Sequence, residues 1–124
     1  MPRYNQLLVM IRYPHYIVIQ KPISSENPYE EVQYETVFEG LCRCFLDRVP
    51  YSGGGDLSQN NYQAVIPSPR MPNIGENYKV GVKVGINTDS YDHVGYVRVF
   101  ARYDRVCNVY FEVIKDHMIE EDQP

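Results

Sequence analysis

Three histidines and three cysteines, His15, His93, His117, Cys42, Cys44 and Cys107, are the residues of this chain best suited to acid–base, nucleophilic or metal chemistry. His15 stands beside Pro14, His117 lies near the C-terminal end of the sequence, and His93 closes the stretch Asp89-Ser90-Tyr91-Asp92-His93. Asp89, Asp92 and His93 could hold a divalent cation, but the stretch lacks the regular oxygen spacing of a calcium loop, so a solvated turn is expected. Cys42 and Cys44 are two apart and share one face of a strand, which puts their Cβ atoms about 6.5 Å from each other, too far for an easy disulfide. Joined by Cys107 they still lack a fourth ligand at zinc spacing. An odd cysteine count argues for a reducing compartment and for thiols that act as small buried hydrophobes. No serine has a nucleophile-elbow context, and neither strand thiol has a local activator. Gly53-Gly54-Gly55 is not followed by the lysine and hydroxyl residue of a phosphate-binding loop. The expectation is a non-enzymatic protein with no cofactor and no metal.

A second kind of chemistry is aromatic stacking beside positive charge. Tyr96, Arg98, Phe100 and Arg102 alternate along one run and so are expected on one face, with Lys79 and Lys83 on a face of another strand. Small barrels bind single strands on such surfaces. A formal charge of -4 lacks the basic footprint of a dedicated nucleic-acid binder. The four residues are therefore a candidate interface, and only in the alternative reading a nucleic-acid face. Twelve tyrosines and no tryptophan suit strand surfaces and subunit contacts alike.

These side chains must be positioned by strands. β-type runs cover residues 62–66, 78–84, 95–101 and 107–113, separated only by turn-forming and polar residues. In the second run Tyr78, Val80, Val82 and Val84 fall on one face and Lys79, Gly81 and Lys83 on the other, the period of two of a half-buried strand. Upstream, residues 7–13 and 16–20 flank Pro14-His15; either they form a hairpin or only the second joins the sheet. Residues 21–31, with Pro22 and Pro28, read as a loop. Residues 32–48 form the longest candidate strand, whose alternation loses phase at Gly40, predicting a bulge or bend there. Residues 67–73 hold three prolines and read as an extended connection, followed by a turn in which Gly75 supplies a positive φ. Residues 87–93 read as a polar loop and 115–124 as a frayed acidic tail.

Helix signals are scarce. At 124 residues the chain is one domain with a core large enough to need no metal or disulfide. The fold expected is all-β: a small antiparallel β-barrel or sandwich with long polar loops and an extended N-terminal segment over 1–12. The apolar run 7–11 is too short for a membrane span, so no membrane association is expected.

The order Met10-Ile11-Arg12-Tyr13-Pro14-His15-Tyr16, Gly40-Leu41-Cys42-Arg43-Cys44, a glycine-rich loop, Tyr62-Gln63-Ala64-Val65-Ile66-Pro67, Ile74-Gly75-Glu76-Asn77-Tyr78-Lys79-Val80 and Gly95-Tyr96-Val97-Arg98, then 107–113, resembles small head-closure (stopper or head–tail adaptor) proteins of tailed phages and prophages of Bacteroidetes-type bacteria. The resemblance implies a β-barrel subunit of a homo-oligomeric ring below the portal, located in the virion and assembled in the host cytoplasm. Its implied partners are copies of itself, a portal or adaptor protein above, a tail protein below, and packaged DNA passing the lumen without sequence-specific binding. Tyr51, Gly53, Gly54, Gly55 and Asp56 would then form a lumen-facing or partner-facing loop, the glycines permitting rearrangement. Residues 1–9 precede the place where such chains begin, and Tyr110-Phe111 stand where a tryptophan is expected. The alternative is a small barrel module that binds single-stranded nucleic acid or a short ligand.

Overall fold

The computed structural model describes residues 11–23, 31–46, 61–85 and 90–114. Among them run six strands: β1 (His15–Ile23), β2 (Gln33–Leu46), β3 (Asn61–Ile66), β4 (Lys79–Lys83), β5 (His93–Arg102) and β6 (Cys107–Val113). Every neighbouring pair is antiparallel, the order around the sheet is β1-β2-β3-β6-β5-β4, and β4 pairs back onto β1, so the sheet closes on itself as a small barrel. Every strand has a neighbour on both sides, although β1 beyond Gln20 and β2 before Arg43 are paired on one side only. The expected all-β, antiparallel barrel is the fold observed.

The period of two explains most of the inward set. β6 buries Cys107, Val109, Phe111 and Val113 at every second position, β4 buries Val80 and Val82, and β1 buries Ile17 and Ile19. Removing one such side chain from water contributes about 1.5–3 kcal/mol. Phe111 is the largest fully buried side chain, and Ala64 and Ile66 from β3 and Cys42 from β2 fill the wall beside it.

Several local expectations are corrected. Of the two runs around Pro14, the second forms β1, and 7–10 lie outside the described residues. β1 continues to Ile23, so 21–23 are strand rather than loop; Pro22 is tolerated because β4 pairs with β1 only as far as Gln20, leaving no second neighbour to ask for its missing N–H. β4 ends at Lys83, and Val84 is 48% exposed rather than inward. The phase change in β2 arises at Val37, not at Gly40: Ile19 faces Phe38 and Gln20 faces Thr36, so Val37 is the extra residue. Gly40 instead sits beneath the ring of Phe38. The left-handed residue of the turn before β4 is Asn77, with φ 73°, not Gly75.

The connection from β3 to β4 must cross the barrel, because β3 neighbours β6 while β4 neighbours β5. It is more than the extended linker expected. Met71 N–H donates to Ser68 C=O at 3.1 Å, and Met71 and Ile74 are buried against the core, so this segment plugs one barrel end. Asn77 N–H donates to Val97 C=O at 2.9 Å, and Val97 N–H to Tyr78 C=O at 2.8 Å, tying the crossover to β5.

Candidate functional site

The four residues expected on one face do not share it. Val97 faces Phe111 and Val99 faces Tyr110, so Arg98 is an extra residue in β5 and every side chain after it changes side. Tyr96 and Arg98 stay on the outer wall, Phe100 packs against the core, and Val99 is turned out at 47% exposure. Arg98 Nη1 pairs with Glu112 Oε1 at 2.5 Å on the surface. Arg102, opposite buried Cys107, lies at the plugged end, where its guanidinium donates to the Pro69 carbonyl and, at 2.5 Å, to Asn73 Oδ1. The Cys107 thiol adds a contact to the Ser68 carbonyl at 3.5 Å. Arg102 is thus a staple for the crossover and not part of an open basic face. The only hint of this in the sequence is the pair Val99-Phe100, two apolar neighbours where alternation requires one.

Lys79 and Lys83 do stay on the outer wall, and each meets a tyrosine. The Lys79 ammonium lies 5.2 Å from the Tyr34 ring centroid and that of Lys83 5.0 Å from the Tyr91 ring centroid. Tyr34 and Tyr96 hydroxyls share a hydrogen bond. The Tyr16 hydroxyl donates to Glu39, and that bond is the main reason its acidity is pushed to about 12, so it remains a neutral phenol.

At the end opposite the crossover, histidines and a thiol gather in a way the sequence did not reveal. His15 opens β1, Cys44 nears the end of β2, Tyr62 is the second residue of β3 and His93 starts β5, so antiparallel pairing brings all four to the same rim. His15 Nδ1 accepts the backbone N–H of Cys44 at 2.9 Å. The His93 and Tyr62 rings lie 4.3 Å apart, and Tyr62 stacks in turn on Phe111 at 5.9 Å. Burial lowers the basicity of both histidines; Asp92 opposes this in both, and His15 lowers His93 further. Burial also raises Cys44 to about 12 and Cys42 higher still. The His15 Nδ1 lone pair is taken up by the Cys44 peptide N–H, so that nitrogen is not free to serve as a base. Asp92 Oδ2 accepts the Val84 N–H at 2.6 Å and closes the β4–β5 connection. Among the described residues no group of three His, Cys, Asp or Glu side chains could hold a metal ion, and Asp89 lies outside them. His93 is therefore a strand residue facing the barrel, not a member of a polar loop.

The chain leaves the described barrel at this rim four times: before β1, between β2 and β3, between β4 and β5, and after β6. Tyr51, Gly53, Gly54, Gly55 and Asp56, together with His117, lie outside the described residues. No helix of the described residues is long and apolar enough to cross a membrane. No family model matches the chain, and neither a curated protein nor a solved structure is similar to it.

Proposed function

We propose that this chain is a structural, non-enzymatic subunit of a phage head-closure or head–tail connector ring, which retains packaged DNA and offers a docking surface to the tail. The observation that carries the reading is the asymmetry of the barrel. One end is closed by the crossover and stapled by Arg102, and the chain leaves the described residues there once, over 24–30, whereas it leaves them at the other end four times, including the segment that holds Gly53-Gly54-Gly55. A closed barrel is a rigid body, and segments gathered at one end are well placed to reach neighbours or a lumen. Exposed apolar side chains around the wall, Ile23, Val32, Phe45 and Val99, supply surface for subunit contacts.

The test is assembly. Native mass spectrometry and negative-stain electron microscopy of the chain, alone and with the portal protein of the same genome, are expected to show rings or ring-sized complexes on the portal. A chain that stays monomeric at high concentration and does not bind the portal refutes the reading. Deleting Gly53 to Gly55 is expected to impair DNA retention or tail joining; normal particles would remove that loop from the account.

A further inference from the structure

The outer wall of β1, β4 and β5 carries a shallow depression with the chemistry of a base-stacking site. It is lined by Val18, Gln20, Lys79, Gly81, Tyr91 and Val94 and encloses about 200 Å³. Gly81 makes it possible: the Tyr91 ring lies directly over the glycine, where a Cβ would meet it at 2.8 Å. Tyr91 is 40% exposed: its ring lies on Gly81, the Lys83 ammonium lies 5.0 Å from the ring centroid, and part of the ring stays open to solvent.

The charges around the depression are unequal in their engagement. Glu39 accepts the Tyr16 hydroxyl, Glu112 is paired with Arg98, and Asp92 accepts the Val84 N–H. Lys79 and Lys83 instead rest on tyrosine rings, and among the described residues neither has a carboxylate at ion-pair distance. They are four residues apart on one strand face, about 13 Å along the wall. Two cations held at a fixed spacing, with apolar lining and tyrosine rings between and beside them, match a chain of alternating anions and flat rings.

We infer that this face binds single-stranded nucleic acid without sequence preference, a base meeting the exposed part of the Tyr91 ring and backbone phosphates meeting Lys79 and Lys83. Any base presents a ring face to stack, and the lysines read only phosphate, so the contact is indifferent to sequence. A duplex, whose bases are already stacked, gains nothing from the tyrosine. This inference does not rest on the connector reading: it is measured on the isolated chain, whereas the connector reading is measured by ring assembly, and either can fail alone.

The experiment is fluorescence anisotropy of a labelled oligothymidylate of about 12 nucleotides titrated with the full chain between about 50 mM and 200 mM salt. Binding is expected to weaken as salt rises. The double variant Lys79→Gln/Lys83→Gln is expected to flatten the log–log salt dependence by about 1.4, two phosphates at about 0.7 each. Tyr91→Ala is expected to weaken binding about 5- to 150-fold, the range for one lost stacking platform. Lys79→Arg/Lys83→Arg, which keeps the charge, is expected to retain binding. No binding at the lowest salt, equal binding of a duplex, or full competition by polyglutamate would each overturn the inference, the last by showing a plain contact for an acidic peptide.

Discussion

Replacing Gly95 by alanine strikes the seam between β5 and β6. Gly95 is buried opposite Val113, and a Cβ built on it would lie 2.0 Å from the Glu112 carbonyl oxygen, 2.6 Å from its carbon and 2.9 Å from Val113 Cα. These are backbone atoms, which cannot rotate aside. Ordinary contact begins at 3.4 Å, so the strands must part by about 1.4 Å for the methyl to fit. That separation strains the Gly95–Val113 pair and the adjoining bond from Ile114 N–H to Val94 C=O at 2.9 Å. Overpacking costs about 1–3 kcal/mol, and two weakened ladder bonds add about 1 kcal/mol each. The expected loss is about 3–5 kcal/mol, a large part of the stability of any single domain. Gly81→Ala is the matched control, because its methyl at 2.8 Å meets only the ring of Tyr91, a side chain that can swing outward. Its expected cost is below about 1 kcal/mol, helped by the reduced freedom of the unfolded chain. Urea denaturation followed by circular dichroism measures both. A Gly95→Ala variant within about 1 kcal/mol of the parent, or a Gly81→Ala variant that costs as much, refutes the register on which the seam is argued.

Three further outcomes follow from the same geometry. His15 and His93 are both less basic in the folded chain than the ordinary 6.5, so the unfolded chain takes up more protons in that region and stability falls as the pH drops below about 6.5. Above it their contribution is fully present; urea midpoints across this window should show the slope, and it should shrink in His15→Gln and His93→Gln. Arg102→Met removes the charge-assisted bonds to Pro69 and Asn73 and should cost about 1–2 kcal/mol while raising hydrogen exchange of the Met71 amide, with unchanged exchange arguing against the staple. Cys42 and Cys107, both buried, should resist iodoacetamide at pH 8 until the chain unfolds, and half-buried Cys44 should react slowly because burial keeps its thiol protonated; rapid native labelling of Cys42 or Cys107 would contradict that.

The strands themselves were legible because burial on one face imprints a period of two, and the run 107–113 could be read to the residue. Motif context and spacing also argued against a phosphate loop and a zinc site. What the sequence left undetermined has a common physical cause, the pairing of distant strands. A one-residue bulge leaves a β-run looking continuous yet reverses every later side chain, which is why Phe100 and Arg102 part company with Tyr96 and Arg98. Likewise nothing in the positions of His15, Cys44, Tyr62 and His93 along the chain announces a shared rim, and nothing in Gly81 announces a ring lying over it. Alternation along a strand is a local property, carried by each residue and its neighbours two away. Which strand lies beside which, and in what register, depends on closing the whole sheet, and only the tertiary structure decides that.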